Sequence, residues 1–504
     1  MLLSDLPSEV LFLIIAYLDI HQIISLRQTC TRLAQITRNK GIWIDFLDLQ
    51  GKTLPLRRDI SESTLSAKAV EDIVVMNSLI DDLWSLPRET ELRKLEPKRG
   101  ECLLGLEVFL DRWVLAVYAD GYLNIWDLAQ EDGTGCRWAY TRMVREKCTS
   151  YVASFDPGTL RLSLGTVALT MAPIRQTAVI YEIQLSERSH PVFKFLRTLP
   201  LPSAGIIRQL DLSHRLLISS HQCTVFISRW SDDCDAVRER DTRRMRTHLE
   251  ELEEMYTTIH ALRVIGPYIL VLKTRSVEIH PFPSGLFAES RQSNSLPILR
   301  HHFQTYNFRN FHLADLESRQ ESYALKFFAS DVIQGLFLFR ATVTVPSDSG
   351  SEPTLNVETL FVYPMVPGIP VRRPRPPQDH AVSTGVEVQS HERLVLDTGH
   401  VRSPFFISAC ALGPQSMRGI WIERRRGVMD KNILTCRFTP EAHDGDDEEP
   451  GDIGMPLLLS GQVVHTLRSF DLNEDLMHCA FGEVGGCIVL GNRSGDVLLL
   501  DIGA

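Results

Sequence analysis

From about residue 88 onward the chain repeats one device: two short apolar runs of β-forming residues joined by a tight polar turn. Trp113–Tyr118 is followed by Ala119-Asp120-Gly121 and then Tyr122–Leu128. Asp-Gly between β-formers is a strong hairpin signal, because glycine tolerates the positive φ of the turn. Six further pairs follow: Leu162–Ala168 with Thr177–Leu185, Arg215–Ser220 with Cys223–Trp230, Tyr268–Leu272 with Ser276–Pro281, Ser322–Ala329 with Gly335–Val343, Phe405–Leu412 with Gly419–Arg424, and Cys487–Leu490 with Asp496–Ile502 across Asn492-Arg493-Ser494-Gly495. That gives about seven units of roughly 55–60 residues. A lone two-stranded ribbon is barely stable in water, so the units must cover one another's apolar faces.

Antiparallel units repeated in this way predict a mainly-β propeller, since a radial array leaves few exposed edges; packed β-sandwiches are the alternative. Trp126-Asp127 and Leu500-Asp501 sit at equivalent hairpin positions, and the region resembles a degenerate WD-repeat propeller. It departs from that pattern in lacking the Gly-His pair, in keeping Trp-Asp in one unit only, and in the length of its repeat. The last unit ends at Asp501 on what would be a third strand, so Arg88–Glu96 is the natural donor of the fourth. Three insertions read as surface loops, at about 232–254, 364–380 and 440–455. The first, with alternating Arg and Glu, predicts a solvated helix with i,i+4 pairs over Asp232–Glu254. The second carries the basic polyproline stretch Arg372–Pro377. The third holds the acidic run Asp444–Asp452, which lacks the ligand register of a calcium loop.

The first fifty residues follow a different period. Pro7 suits a first helical turn. Val10, Leu11, Ile14, Ile15 and Leu18 recur at three- and four-residue spacing, and Phe12 and Leu13 widen that face until the helix is apolar nearly all round. Asp19 with Gln22 three residues on forms a capping-box pattern for a second helix bearing Ile23, Ile24 and Leu26. A third helix runs from about Thr31 to Thr37; Asn39 and Gly41 break it, and Trp43 returns onto the bundle. So small a bundle is marginal alone, and its surplus of apolar surface calls for a partner or for a cap on a neighbouring domain.

The order Leu6-Pro7-x-Glu9-Val10-Leu11-x-x-Ile14-x-x-x-Leu18, then Leu26-Arg27-x-Thr29-Cys30-x-Arg32-Leu33, then Trp43, resembles an F-box. The resemblance covers under a tenth of the chain. It implies docking to the small adaptor that links F-box proteins to a cullin–RING ubiquitin ligase. It assigns Leu6, Pro7, Val10, Leu11, Ile14 and Leu18 to that interface, and Leu26, Leu33 and Trp43 to positions that shape the fold or its edge. The turn His21-Gln22 differs mildly from the family's usual acidic or lysine-bearing one.

The expected organisation is therefore an F-box bundle at 1–50, a helical linker at 51–87 and a propeller at 88–504. In the linker Leu65, Ala69, Ile73, Met76, Ile80, Leu83 and Trp84 lie near one stripe, which predicts a helix partly packed on the next domain or serving as a stiff spacer.

Composition narrows the function. Lys and Arg number 53 against 63 Asp and Glu, a formal net charge of −10, which offers no global field for phosphate backbones and argues against nucleic acid. The ten cysteines hold no C-x-x-C pair, so no zinc or dithiol site is expected, and buried free thiols in a reducing compartment are. Asp5 and Glu9 precede the apolar run Val10–Leu18, which has no basic flank and is too short to span a bilayer; the reading is an intracellular protein, cytoplasmic or nuclear, without a membrane partner. No phosphate-binding loop, dinucleotide fingerprint, H-E-x-x-H or G-x-S-x-G occurs. The expectation is a non-catalytic substrate-recognition subunit of an F-box/cullin–RING ligase, without catalytic residues, cofactor or metal, its propeller holding an unidentified target protein. The alternatives are an F-box-bearing scaffold without a role in ubiquitination, and a propeller enzyme carrying an F-box-like cap.

Overall fold

The computed structural model describes residues 3, 6–56, 65–85, 91–96, 100–131, 137–143, 147–156, 158–171, 174–186, 190–201, 205–212, 214–230, 242–247, 258–282, 297–303, 306–319, 321–345, 352–365, 405–425, 427–438 and 457–502. Five helices come first: α1 (Ser8–Ile15), α2 (Ile20–Arg27), α3 (Thr31–Ile36), α4 (Lys40–Thr53) and α5 (Ala67–Ser85). The capping box at Asp19 forms as expected: its carboxylate accepts from the Gln22 N–H at 2.7 Å, and the Gln22 side-chain oxygen accepts from the Asp19 N–H at 3.0 Å. Asn39 ends one helix and starts the next, its side chain accepting from the Gly41 N–H at 2.9 Å.

Seven antiparallel sheets follow, each of four strands in simple order. The fifth gains Leu457–Leu458, which pairs in parallel with its outer strand Thr354–Pro364. Their first strands are Leu103–Phe109, Cys148–Asp156, Ile206–Asp211, Ile259–Ile265, Phe308–Arg319, Phe405–Leu412 and Leu476–Phe481, and each touches the next around a closed ring. Seven apolar clusters fill the seven gaps between neighbouring blades. This is a seven-bladed propeller, which settles the choice against packed sandwiches. Both faces of a blade are covered by its neighbours, so middle strands are buried along their length and mostly apolar; Trp113–Tyr118 and Cys487–Asn492 are buried at every residue. That is why the hairpins legible in the sequence are second and third strands in six blades. In blade 6 the legible pair, Phe405–Leu412 with Arg418–Arg425, is the first and second.

The ring closes as the chain end suggested. Leu92–Lys94 runs antiparallel to Val497–Asp501, with Leu92 opposite Leu500 and Lys94 opposite Leu498. Lys94 Nζ lies 2.9 Å from an Asp496 carboxylate oxygen, Trp126 Nε1 donates to the Glu96 carbonyl at 3.1 Å, and Leu95 is buried between blades 7 and 1.

Two expectations need correction. Within Asp232–Glu254 no helix covers 242–246: Thr242–Arg246 is the outer strand of blade 3, pairing with Thr224–Arg229. The hairpin before it leaves an open edge; Met245 fills the gap to blade 4 while Arg244 lies over the Phe226 ring at 5.5 Å, so alternation of the period-2 kind overrides the charge pattern. The α5 stripe is also rotated. Val70, Val74, Asn77, Ile80, Leu83 and Trp84 are buried, whereas Met76 is largely exposed, because α5 packs on α4 at one end and on the propeller at the other. The polyproline stretch at 372–377 and the acidic run at 444–452 lie outside the described residues.

Candidate docking surface of the N-terminal helices

The bundle is built on what α1 turns inward. Leu11 and Ile15, one turn apart, are both 1% exposed. Ile15 joins Ile20 and Ile23 from α2, Ile42, Trp43 and Leu47 from α4, and Val70 and Val74 from α5 in one cluster. Helix α5 thus joins the small bundle and supplies part of the core that 45 residues lack. A polar clamp reinforces the junction. Trp43 Nε1 donates to the Thr37 carbonyl at 2.8 Å; Arg27 donates to the same carbonyl at 3.0 Å, stacks over the Trp43 ring at 5.6 Å and pairs with Glu71 of α5.

An apolar helix has more apolar residues than one core can take. With Leu11 and Ile15 inside, Val10, Leu13 and Tyr17 point out, at 39, 66 and 91% exposure. Pro7 is exposed beside them at the helix entrance. Behind this ridge, α1 and α4 leave a groove of about 360 Å³ walled by Phe12 and Ala16 on one side and Phe46 and Leu49 on the other, with Gly41 and Asp45 at its edge. Large apolar side chains exposed together in this way make the face a candidate protein contact.

The residues singled out in the sequence separate by position. Pro7 and Val10 are exposed; Leu6, Ile14, Leu18 and Leu26 are half-buried; Leu11, Leu33 and Trp43 are buried in the bundle. The Leu6 carbonyl accepts from Arg32 at 2.9 Å, which ties the entrance of α1 to α3. Sequence reasoning left out Tyr17 and counted Leu13 only as widening the inward face. Their i,i+4 spacing puts them on one face, half a turn from Leu11 and Ile15, but does not say which face turns inward.

No described group of His, Cys, Asp and Glu has the arrangement to hold a metal ion, and no described helix is long and apolar enough to cross a membrane. The eight described cysteines are free thiols. Burial pushes the Cys148 thiol up to about 11 and Cys410 to about 12, so neither offers a thiolate at neutral pH.

Residues 3–45 match the sequence profile of the F-box domain. A search of curated proteins finds no match to the chain. Among solved structures, the chain is similar to the β-propeller domain of Cps50 (Swd1) from Myceliophteria thermophila, at 9% identity over 82% of this chain and 99% of that one, with a TM-score of 0.45. It is also similar to the WD40 domain of SCAP from fission yeast, at 7% identity over 82% and 98%, with a TM-score of 0.37. The blade count rests on the chain's own strand order and ring of contacts. The chain thus carries a match to the F-box domain over residues 3–45, followed by a seven-bladed β-propeller.

Proposed function

We propose that this chain is a non-catalytic substrate-recognition subunit of an F-box/cullin–RING ubiquitin ligase. The observation that carries the reading is the outward ridge of Val10, Leu13 and Tyr17 within a matched F-box domain. The ridge, with Leu6, Pro7, Ile14 and Leu18 at its flanks, docks the ligase adaptor. Leu11, Leu26, Leu33 and Trp43 hold it in shape from beneath. Burying a large apolar side chain at such a contact is worth about 1.5–3 kcal/mol, so the three ridge residues contribute favourably to the contact. The propeller binds the target, and the complex works by proximity: it raises the effective concentration of a target lysine beside a charged conjugating enzyme. No side chain of this chain takes part in covalent chemistry, and it acts where that machinery resides, in the cytoplasm or nucleus.

The test is co-purification with the adaptor. The natural chain should capture it, and Leu13→Asp/Tyr17→Ala should lose it with an unchanged melting temperature. Failure of the natural chain to capture the adaptor refutes the reading. If it captures the adaptor and no protein accumulates when the chain is deleted, the scaffold without ubiquitination takes its place.

A further inference from the structure

Helix α5 meets the propeller at one rim, where the turns joining first and second strands of blades 6 and 7 come together (residues 413–417 and 482–486). Glu483, 2% exposed, sits between those turns. Its Oε2 accepts from the Gln415 N–H at 2.6 Å, and its Oε1 accepts from the N–H groups of Met417 and Arg418 at 2.8 and 3.1 Å. Gly413 leaves the carboxylate its room, since a Cβ there would stand 2.2 Å from Glu483 Cδ. The turn held in this way bends through Ser416 at φ 58°.

Two sets of contacts leave that turn for the N-terminal helices. The Gln415 amide makes a double bond-pair with the backbone just beyond α4: its Oε1 accepts from the Leu56 N–H at 3.1 Å and its Nε2 donates to the Leu56 carbonyl at 2.7 Å. Arg418 donates to the Glu483 carbonyl at 2.7 Å, reaches Asp81 of α5 at 3.2 Å and lies 5.2 Å from the Trp84 ring. Arg437 pairs with the same Asp81 at 2.9 Å and donates to Ser85 Oγ at 2.7 Å. The blade 7 turn is itself fixed from blade 1, where Asp111 accepts from the Val484 and Gly485 N–H groups at 3.0 and 2.8 Å.

We propose that Glu483 is a positioning residue: through the 413–418 turn it sets how the N-terminal helices sit on the propeller, while lying in neither the adaptor ridge nor α5. Removing its side chain leaves three N–H groups, that of Arg418 buried and those of Gln415 and Met417 part-buried, without their acceptor and frees both contact sets at once. The assignment goes beyond the adaptor reading and is tested without a partner, so either can fail alone.

The experiment is hydrogen–deuterium exchange on the full free chain. Glu483→Ala should speed exchange about tenfold at residues 54–56 and in the last two turns of α5, leaving blade 3, across the ring, unchanged. Glu483→Asp, which keeps the charged acceptor one methylene shorter, should recover part of the protection. Gln415→Ala should loosen 54–56 and spare α5. Unchanged exchange in α5 for Glu483→Ala overturns the proposal. So does an equal rise in every blade, which would make Glu483 a residue of propeller stability alone, and so does Glu483→Asp recovering nothing.

Discussion

Two leucines two positions apart on α1 do opposite work. Leu11 is sealed beneath the bundle and Leu13 stands outside it, yet a linear motif cannot tell them apart. Leu11→Asp places an unpaired carboxylate in an apolar core and should unfold the helical bundle, a loss of about 3–5 kcal/mol at the severe end for single substitutions. Far-UV circular dichroism and a urea melt of the variant would read it, against an unchanged curve for Leu13→Asp. Loss of adaptor capture in Leu11→Asp is therefore uninformative about contact, and Leu13 and Tyr17 are the positions at which contact and folding separate. Asp19 and Gln22 form the capping box their spacing announces, because a cap is a contact between chain neighbours, whereas Asn39, expected only to break a helix, caps the next one.

Secondary-structure elements were legible in proportion to how uniformly they are buried. Second and third strands of the blades stood out as apolar runs because both their faces are covered. First and outer strands are only partly buried, as in Cys148–Asp156 and Val192–Pro200, so they carry a weaker signal. Thr242–Arg246 was masked altogether by its arginines. The closing strand Leu92–Lys94 is too short to announce itself by period; it was inferred from an incomplete last blade. Its anchoring side chain, Leu95, gives a prediction: Leu95→Asp should cost about 2–4 kcal/mol and open blade 7 first. Exchange at Val497–Asp501 should rise before that of blade 3, and equal protection in both would show that the closing strand does not hold the ring.

For the molecule as a whole, buried titratable groups set the response to acid. Burial holds His260, His301 and His312 down to about 4, and His312 Nδ1 accepts the Leu412 N–H at 3.1 Å, a bond its protonated form cannot keep. A folded value below the unfolded one means stability present above about pH 6.5 and lost as pH falls toward 4. Burial raises Glu107 and Glu483 to about 7, which works the other way, adding stability as pH falls from 7 to 4.5. Burial holds His478 down as well, so four lowered histidines stand against the two raised carboxyls between pH 6.5 and 4.5. Among these groups the unfolded chain binds more protons than the folded one, so stability should fall as pH drops through that window. Urea midpoints across it should fall with pH in the natural chain and less steeply in His312→Asn; a slope unchanged by the substitution would remove His312 from the account.

What local chemistry can specify was written in the residue order: helix caps, the apolar period of α1, tight turns such as Asp120-Gly121, and seven recurring hairpins. Each depends on neighbours within a few positions, and the F-box resemblance is of the same kind. What depended on distant parts of the chain could be known from the fold alone. Ring closure fixed the blade count, the addition of α5 to the small bundle fixed which face of α1 remains outside, and Glu483 met Gln415 and Arg418 from another blade. The reason is physical: burial and hydrogen bonding at those sites are supplied by residues tens to hundreds of positions away, and a helix apolar on every side carries no local mark of which side its neighbours will cover.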